Sequence, residues 1–186
     1  MSRQDEGRAR LIAAARRAAA ETVAARVSLR DIARAANYSP AACYRYFASR
    51  ERLIDAVAVE VCDEVIAAIR KAIAGETGVQ DRLAAAAHAY LLYAIAHRGA
   101  FDLAFERAEG DWAAAERSAA GMKLADYFGE LAGRPELGAC LWASIHGVVD
   151  MMVKGVIDLG QREQGASVLP SRGETLLRGL TESLAL

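Results

Sequence analysis

The segment from residue 28 to 53, SLRDIARAANYSPAACYRYFASRERL, most limits what this chain can fold into. It holds two short stretches with apolar residues at helical spacing, separated by the sequence NYSP. Asn37 tolerates the left-handed conformation that ends a helix, and Ser39 followed by Pro40 is a typical helix start. Ser28 can cap the preceding helix in the same way. The pattern predicts two short helices joined by a tight turn, a helix-turn-helix.

Composition favours helices in the rest of the chain as well. Alanine, which has the highest helix propensity, is very frequent, and only three prolines occur in 186 residues. No run of alternating β-branched residues predicts a strand. We therefore expect an all-α protein of about nine helices. They are predicted at about 5–22, 28–35, 39–46, 50–74, 79–97, 100–108, 111–132, 136–160 and 171–184.

The sequence GETG at 75–78 interrupts the helical pattern, and we place a domain boundary near it. Residues 1–50 would form the helix-turn-helix domain, and residues 75–186 a second, larger helical domain. The helix at 50–74 would connect the two.

Charge is distributed unevenly between these parts. Residues 1–50 contain ten arginines and four acidic residues, a net charge of +6, whereas the remainder carries −7. A basic N-terminal part on an acidic body suggests a polyanionic partner for the basic part, although an ordinary solvated charged face would have the same composition.

Several classes of protein are disfavoured. The charged start MSRQDEGRAR lacks the apolar run of a signal peptide, and no segment has about 18 uninterrupted apolar residues, so we expect a cytoplasmic protein with no membrane partner.

The sequence also lacks the usual patterns of metal and catalytic sites. Cys43, Cys62 and Cys140 have neither metal-type spacing nor an even number for disulfides. We find no catalytic Ser-His-Asp or Cys-His arrangement and no phosphate-binding glycine loop, and we expect no enzyme activity, no metal and no cofactor.

The second helix of the pair has the residues that a DNA major groove requires. Its N-terminal end is made of small side chains, Ala41 and Ala42, which permit close approach and whose methyl groups can contact thymine. Tyr44 and Tyr46 offer hydroxyl groups to phosphates, and Arg45 can reach a base edge or a phosphate. The candidate DNA-binding residues are Ser28, Arg30, Ser39, Pro40, Ala41, Ala42, Tyr44, Arg45, Tyr46 and Arg50.

Residues 8–60 resemble the TetR-type transcriptional regulators. The resemblance rests on LRDIA at 29–33, ANYS at 36–39, YRYF at 44–47 and SRERL at 49–53. It implies that Tyr44, Tyr46 and Arg50 contact phosphates. It also implies a C-terminal domain that binds a small effector and forms a homodimer, through the helices at about 136–160 and 171–184, on palindromic DNA.

Three positions depart from the usual pattern of that family. Val23 stands where a glycine often follows the first helix, Asn37 stands at the turn glycine, and Ala41-Ala42 replace a common glycine or threonine pair. The first departure could alter the loop at 23–27. The last is expected to change which DNA sequence is bound, rather than whether DNA is bound.

The segment LWASIHGVVDMMV at 141–153 resembles the Trp-His-Gly signature of one C-terminal class in this family, through Trp142, His146 and Gly147. Gly147 would permit a close helix approach. His146 could be a core residue, part of a ligand pocket or, least favoured, a metal ligand. Asp150 could form an exposed pair with Lys154 or point into a pocket or interface. The candidate ligand-binding residues are Tyr93, Phe101, Phe105, Trp112, Met122, Trp142, His146 and Asp150.

Each of these residues could instead belong to the core, because pockets and cores are both mostly apolar. Two other functions stay open for the whole chain: a helical interaction module whose helix-turn-helix does not bind DNA, and a helical enzyme. Residues 28–53 could also be only a helical hairpin, with Tyr44, Tyr46 and Phe47 as core aromatic residues. Salt-sensitive binding to duplex DNA would separate these alternatives from a DNA-binding regulator.

Overall fold

The computed structural model describes residues 3–21, 27–105, 115–156 and 171–184. Within these residues the chain forms α-helices, one 3₁₀ turn and no strand, which confirms the all-α prediction. The helices are α1 (Arg3–Glu21), α2 (Leu29–Ala35), α3 (Pro40–Tyr44), α4 (Arg50–Ala72), α5 (Val79–Ala96), α6 (Arg98–Ala104), α7 (Ala115–Ala132), α8 (Gly138–Val153) and α9 (Ser171–Leu184).

Several helices end earlier than predicted. Helix α3 ends at Tyr44 rather than Tyr46, and α6 ends at Ala104 rather than near residue 108. The segment predicted as one helix from 136 to 160 starts as the 3₁₀ turn Pro135–Leu137, and α8 ends at Val153 because Gly155 takes the left-handed conformation, with φ at 74°. The predicted helical residues at 106–108, 111–114 and 157–160 lie outside the described residues.

The chain groups into two compact units. One unit contains Met1–Asp63 and His97–Gly121, and the other contains Glu64–Ala96 and Met122–Leu186. Each unit is therefore built from segments that are separated in the sequence. The predicted functional division near residue 75 stays a prediction.

The first unit packs α1 against α2 and α6, and α2 against α3. One face of α1 is buried, including Leu11, Ile12 and Ala15. Helix α6 comes so close to α1 that a Cβ atom on Gly99 would overlap the backbone carbonyl of Ala19. Glycine is therefore required at this crossing, because any side chain would force the two helix backbones apart.

The second unit packs α5, α8 and α9 against one another. Leu83, Tyr90 and Leu91 of α5 are buried, together with Phe128 of α7. At the start of α8 a Cβ atom on Gly138 would overlap the carbonyl of Ala125, which fixes a close crossing between α8 and α7. These contacts build an apolar core from α5, α7 and α8, with α9 packed against α5 and α8.

Pro135–Val153 is the one segment among the described residues that is long and apolar enough to cross a membrane by length and composition. This is weak evidence for a membrane helix, because the core helices of water-soluble proteins meet the same criterion. The segment also carries His146 and Asp150 in its second half.

Candidate nucleic-acid interface

The helix-turn-helix is held by caps that the sequence predicts. The Ser28 hydroxyl accepts a hydrogen bond from the backbone N–H of Asp31 at 3.2 Å, and the Ser39 hydroxyl accepts one from Ala42 at 3.1 Å. Asn37, in the turn, has a positive φ of 59°. The two caps satisfy backbone donors that the first turn of each helix would otherwise leave unpaired.

Helix α3 is fixed to the rest of its unit by buried apolar residues and by one arginine. Cys43 and Phe47 are buried, and burial raises the pKa of the Cys43 thiol. The Arg8 guanidinium stacks over the Phe47 ring, 4.3 Å from its centre, and donates a hydrogen bond to the carbonyl of Tyr46 at 2.9 Å. Arg8 therefore positions the C-terminal end of α3. Nothing in its spacing from α3 predicted this role.

The candidate DNA-binding residues all lie at least partly at the surface of the first unit. Tyr44 is the most exposed aromatic residue among the described large apolar side chains, at 58%. The exposed candidates are Arg30, Ser39, Pro40, Ala41, Tyr44 and Arg45, and the half-buried ones are Ser28, Ala42, Tyr46 and Arg50. Helix α3 and its flanking residues thus leave a row of donors and small side chains accessible to a partner.

The two tyrosines of this row are held differently. The ring of Tyr46 contacts Tyr38 edge-on at 5.5 Å between ring centres, and a Cβ atom on Gly7 would overlap it. Tyr46 is therefore fixed between the start of α1 and the turn. Tyr44 points outward with its hydroxyl in solvent, which is the geometry expected for a side chain that meets its partner from outside.

Arg50, at the first position of α4, links two helix starts. Its Nε donates a hydrogen bond to the carbonyl of Val27 at 2.7 Å, immediately before the Ser28 cap of α2. The hydroxyl of Ser49 caps α4 by accepting from the N–H of Arg52 at 3.3 Å. The N-termini of α2 and α4, both favourable to anions, are thereby tied together.

A buried ion pair lies deeper in the same unit. Asp55 is fully buried, and one of its oxygens accepts from the Nε and a terminal nitrogen of Arg117 at 2.9 and 2.8 Å. Its second oxygen is buried without a hydrogen-bond partner among the described residues. No sequence pattern predicts this pair, because its members are far apart in the chain and belong to helices predicted independently.

In the second unit, three of the aromatic and imidazole side chains form a partly buried polar cluster. The hydroxyl of Tyr90 lies 2.8 Å from Nδ1 of His146 and 3.3 Å from Nε1 of Trp142. Since the indole N–H can only donate, the Tyr90 oxygen accepts from Trp142, whereas the direction of its bond with His146 is set by the tautomer of the imidazole. Burial lowers the pKa of His146, partly opposed by the nearby Asp150, and so favours the neutral ring.

The other predicted ligand-binding residues are not brought into one cluster. Tyr93 is buried and donates to Glu64 at 2.5 Å, whereas Met122 is exposed. Phe101 and Phe105 belong to the first unit, with ring centres 4.8 Å apart. Trp112 lies outside the described residues. Their assignment to a pocket stays a prediction.

Asp150 forms the exposed pair that the sequence allowed, with a 2.7 Å bond from Lys154. The prediction for Gly147 differs from the structure: a Cβ atom there would meet nothing within 4 Å, so no described segment approaches it closely.

The sequence predicts two apolar stripes on the helices expected at the dimer interface: Leu141, Ile145, Val148 and Met152 on the first, and Leu176, Leu177, Leu180 and Leu184 on the second. The first stripe is largely used within the chain, since Leu141, Ile145 and Met152 are buried together with Val149, whereas Val148 is half-buried. In the second stripe Leu180 is half-buried, and the side chains of the other three leucines lie outside the description. The stripe therefore does not by itself predict a surface for a second copy.

Metal or cofactor ligands are not clustered in the described part of the chain, where no group of three or more His, Cys, Asp or Glu side chains could hold an ion. His88 has a buried Nε2 without a hydrogen-bond partner among the described residues. The three cysteines form no disulfide, and two of them are buried. The chemistry that the described surface offers is hydrogen bonding and charge.

Comparison with known proteins agrees with this geometry. Residues 11–57 match the family model described as "Bacterial regulatory proteins, tetR family", which includes α2, the turn and α3. No curated protein matches the chain at a significant level.

Solved structures match over nearly the full length. A TetR family transcription regulator from Marinobacter aquaeolei VT8 is 19% identical, with a TM-score of 0.65, and the match covers 98% of this chain and 96% of that one. The fatty acid degradation regulator FadR from Bacillus halodurans is 14% identical, with a TM-score of 0.72 and coverage of 100% and 96%.

RolR, solved in complex with resorcinol, is 17% identical, with a TM-score of 0.67 and coverage of 98% and 94%. At these identities the likeness concerns the fold, and it does not distinguish the Trp-His-Gly class. The chain has the fold of solved TetR-family transcription regulators, and its residues 11–57 match the sequence model of that family.

Proposed function

We propose that this protein is a cytoplasmic, ligand-responsive transcription regulator that binds a palindromic operator as a homodimer. The observation that carries the proposal is the surface of α3, where Tyr44, Arg45 and the small residues at 40–42 are accessible while Cys43 anchors the helix. Such a helix fits a major groove with its N-terminal end against the bases.

The proposed contacts divide into two kinds. Tyr44, Tyr46 and Arg50 would bind phosphates, and the N-terminus of α2, capped by Ser28, would supply backbone N–H groups. Ala41, Ala42 and Arg45 would lie at the base edges. Phosphate contacts position the protein, whereas base contacts select the sequence.

A second copy would bind through a face of α8 that the chain leaves open. Cys140, Ala143 and Met151 are exposed along this helix, and the space beside Gly147 is open. These positions recur about every turn and lie away from the buried stripe. With α9 beside α8, this face could complete a four-helix bundle across a two-fold axis, and two copies would match the two half-sites of a palindrome.

The proposed effector is a small apolar or aromatic molecule bound in the second unit. The polar cluster of Tyr90, Trp142 and His146 would orient a hydroxyl or carbonyl group of such a ligand, and a protein of similar fold, RolR, is solved with resorcinol. The simplest outcome is repression released by the effector. The effector would shift binding only by its different affinity for the two states of the protein.

Selection of random duplexes by the purified protein, at two salt concentrations, tests DNA binding directly. We expect a palindromic motif and an affinity that falls steeply with salt. Recovery of no motif, together with no salt-sensitive binding, would contradict the proposal and favour the interaction module.

Two variants test the docking orientation on the selected duplex. Arg50→Ala is expected to weaken binding to all sequences and to reduce the salt slope by about one, because a phosphate contact is lost. Substitution of Ala42 with serine should instead change sequence preference. Lys71→Ala, an exposed cation at the far end of α4, is the matched control for charge. An unchanged salt slope in Arg50→Ala would contradict this orientation.

A further inference from the structure

A cleft of about 420 Å³ lies in the first unit between α1 and the turn that joins α2 to α3. Arg10 and Arg17 line it from α1, and Asn37 and Tyr38 line it from the turn, with alanines between them. The cleft is open to solvent on one side. Its shape suits a partner that lies along the surface rather than one that is enclosed.

The two arginines of the cleft are available to a partner. They are seven residues apart, which places them two turns apart on the same side of α1, and both are exposed. Neither forms an ion pair with another described residue, whereas Arg16, between them in sequence, pairs with Glu60 at 3.5 Å. An uncompensated pair of guanidinium groups at the rim of a cleft attracts an anion, and the planar fork of each suits a phosphate.

The turn adds a third polar group. The backbone N–H groups of Asn37 and Tyr38 are already bonded to the carbonyls of Arg34 and Ala33, at 3.1 and 2.8 Å. Asn37 itself is exposed and lines the cleft with its left-handed backbone. The donors that the cleft offers are therefore side-chain donors of its lining residues, among them the two arginines and Asn37.

The position of the cleft identifies the anion. Tyr38 lines the cleft and also contacts Tyr46, whose ring centre is 5.5 Å away and which is one of the proposed phosphate contacts. Ser39, the next residue after Tyr38, caps α3. A duplex whose backbone passes Tyr46 would therefore have adjoining phosphates beside the cleft.

We propose that this cleft binds the sugar-phosphate backbone of duplex DNA, through Arg10, Arg17 and Asn37, in addition to the contacts made by α3 and by the starts of α2 and α4. The inference rests on the proposed DNA-binding function. It enlarges the footprint on each half-site from the helix-turn-helix to the outer face of α1.

Charge-removing variants of the cleft provide the test. Affinity for the selected duplex is measured at several salt concentrations for Arg10→Ala, Arg17→Ala and the double variant. Each single change should weaken binding about tenfold and lower the salt slope by about one, and the double change should lower it by about two. The double variant Arg10→Lys with Arg17→Lys keeps the charge and should retain most of the wild-type salt slope.

Arg98→Ala is the matched control, because it removes the same charge from the same unit and does not line the cleft. It should leave the affinity and the slope as they are in the wild type. Thermal unfolding of each variant checks that the fold is intact, which we expect since both cleft arginines are exposed. A double alanine variant with wild-type affinity and slope would overturn the cleft proposal, as would an equal loss in Arg98→Ala.

Nuclear magnetic resonance of the arginine Nε groups separates DNA from a free anion. Addition of duplex should shift the Arg10 and Arg17 signals at a concentration at which inorganic phosphate, at equal ionic strength, leaves them unchanged. A shift with phosphate but none with duplex would overturn the proposal. If the wild type bound no duplex, the proposed function itself would be contradicted. If the wild type bound duplex and the cleft variants bound it equally well, only the cleft proposal would be contradicted.

Discussion

The outer surface of α3 and the interior between α5 and α8 use the same residue type in opposite ways. Tyr44 of α3 is 58% exposed and its hydroxyl faces solvent, whereas Tyr90 of α5 is fully buried and its hydroxyl binds both His146 and Trp142. A hydroxyl at the surface is available to a partner. A hydroxyl in the core is committed to the fold, because a buried polar group without a partner is costly.

Arginine follows the same contrast. Arg45 is exposed beside Tyr44, whereas the side chain of Arg117 is 13% exposed and bonds the buried Asp55 through two nitrogen atoms. The difference teaches that residue type alone does not indicate a binding role. Burial and the identity of the partner atoms decide whether a tyrosine or an arginine serves stability or recognition.

The largest expected effect concerns the arginines. Arg117→Met should lower the free energy of unfolding by about 3–5 kcal/mol, because it leaves the Asp55 carboxylate buried and unpaired. Arg45→Met should change it by less than about 0.5 kcal/mol. Urea denaturation of both variants measures the difference. Equal losses would break the contrast between the two regions.

The tyrosines should differ in the same direction by a smaller amount. Tyr90→Phe should lower the free energy of unfolding by about 1–3 kcal/mol, since it leaves the Trp142 N–H and the His146 ring without their partner. Tyr44→Phe should leave stability unchanged, because its hydroxyl is in solvent. Thermal and chemical unfolding of the pair provide the measurement, and a stable Tyr90→Phe would mean that water replaces the hydroxyl.

For DNA affinity, the larger loss should come from the change at Tyr44 rather than from the change at Tyr90. Tyr44→Phe should weaken binding to every duplex by about fivefold to tenfold through loss of one phosphate hydrogen bond. Tyr90→Phe, measured in a folded sample without effector, should bind DNA as the wild type does. Titration of a fluorescent duplex with each variant measures the two affinities. Equal affinities would contradict the distinction between a tyrosine that binds DNA and a tyrosine that belongs to the core.

The smallest expected effect is a pH dependence that comes from His146. Because its pKa in the folded protein lies below the value in the unfolded chain, the unfolded state binds the proton first as the pH falls below about 6.5. Stability is therefore full above that pH and decreases as the pH falls toward the folded-state pKa, by at most about 1.4 kcal/mol per pH unit. His146→Gln should flatten this part of the stability profile. An identical profile in wild type and variant would assign the slope to other groups.

Local rules explain how much of this molecule could be predicted from its sequence. The caps at Ser28 and Ser39 and the left-handed Asn37 depend on neighbouring residues, so the helix-turn-helix was predictable in detail. The pairing of Asp55 with Arg117 depends on helices distant in sequence, and no local pattern indicates it.

The second helical part was less predictable for a similar reason. An apolar stripe such as Leu141, Ile145 and Met152 fits a chain's own core and a dimer interface equally well, and only the packing of α5 and α9 against α8 assigns it to the core. Gly147 illustrates the converse, because a glycine indicates close approach only if another backbone is present. The sequence pattern of α8 therefore predicted a helix correctly but not which of its faces is free.

The close crossing of Gly99 with Ala19 has a consequence for the order in which the protein is made. Helix α1 leaves the ribosome well before α6, which covers one of its faces and follows only after α4 and α5 have been synthesised. The nascent chain must therefore carry an exposed apolar surface on α1 until α6 emerges, and a stop codon placed after α4 would leave that surface uncovered permanently. Autonomous expression of the N-terminal segment alone is accordingly expected to yield an aggregation-prone fragment rather than a miniature DNA-binding protein.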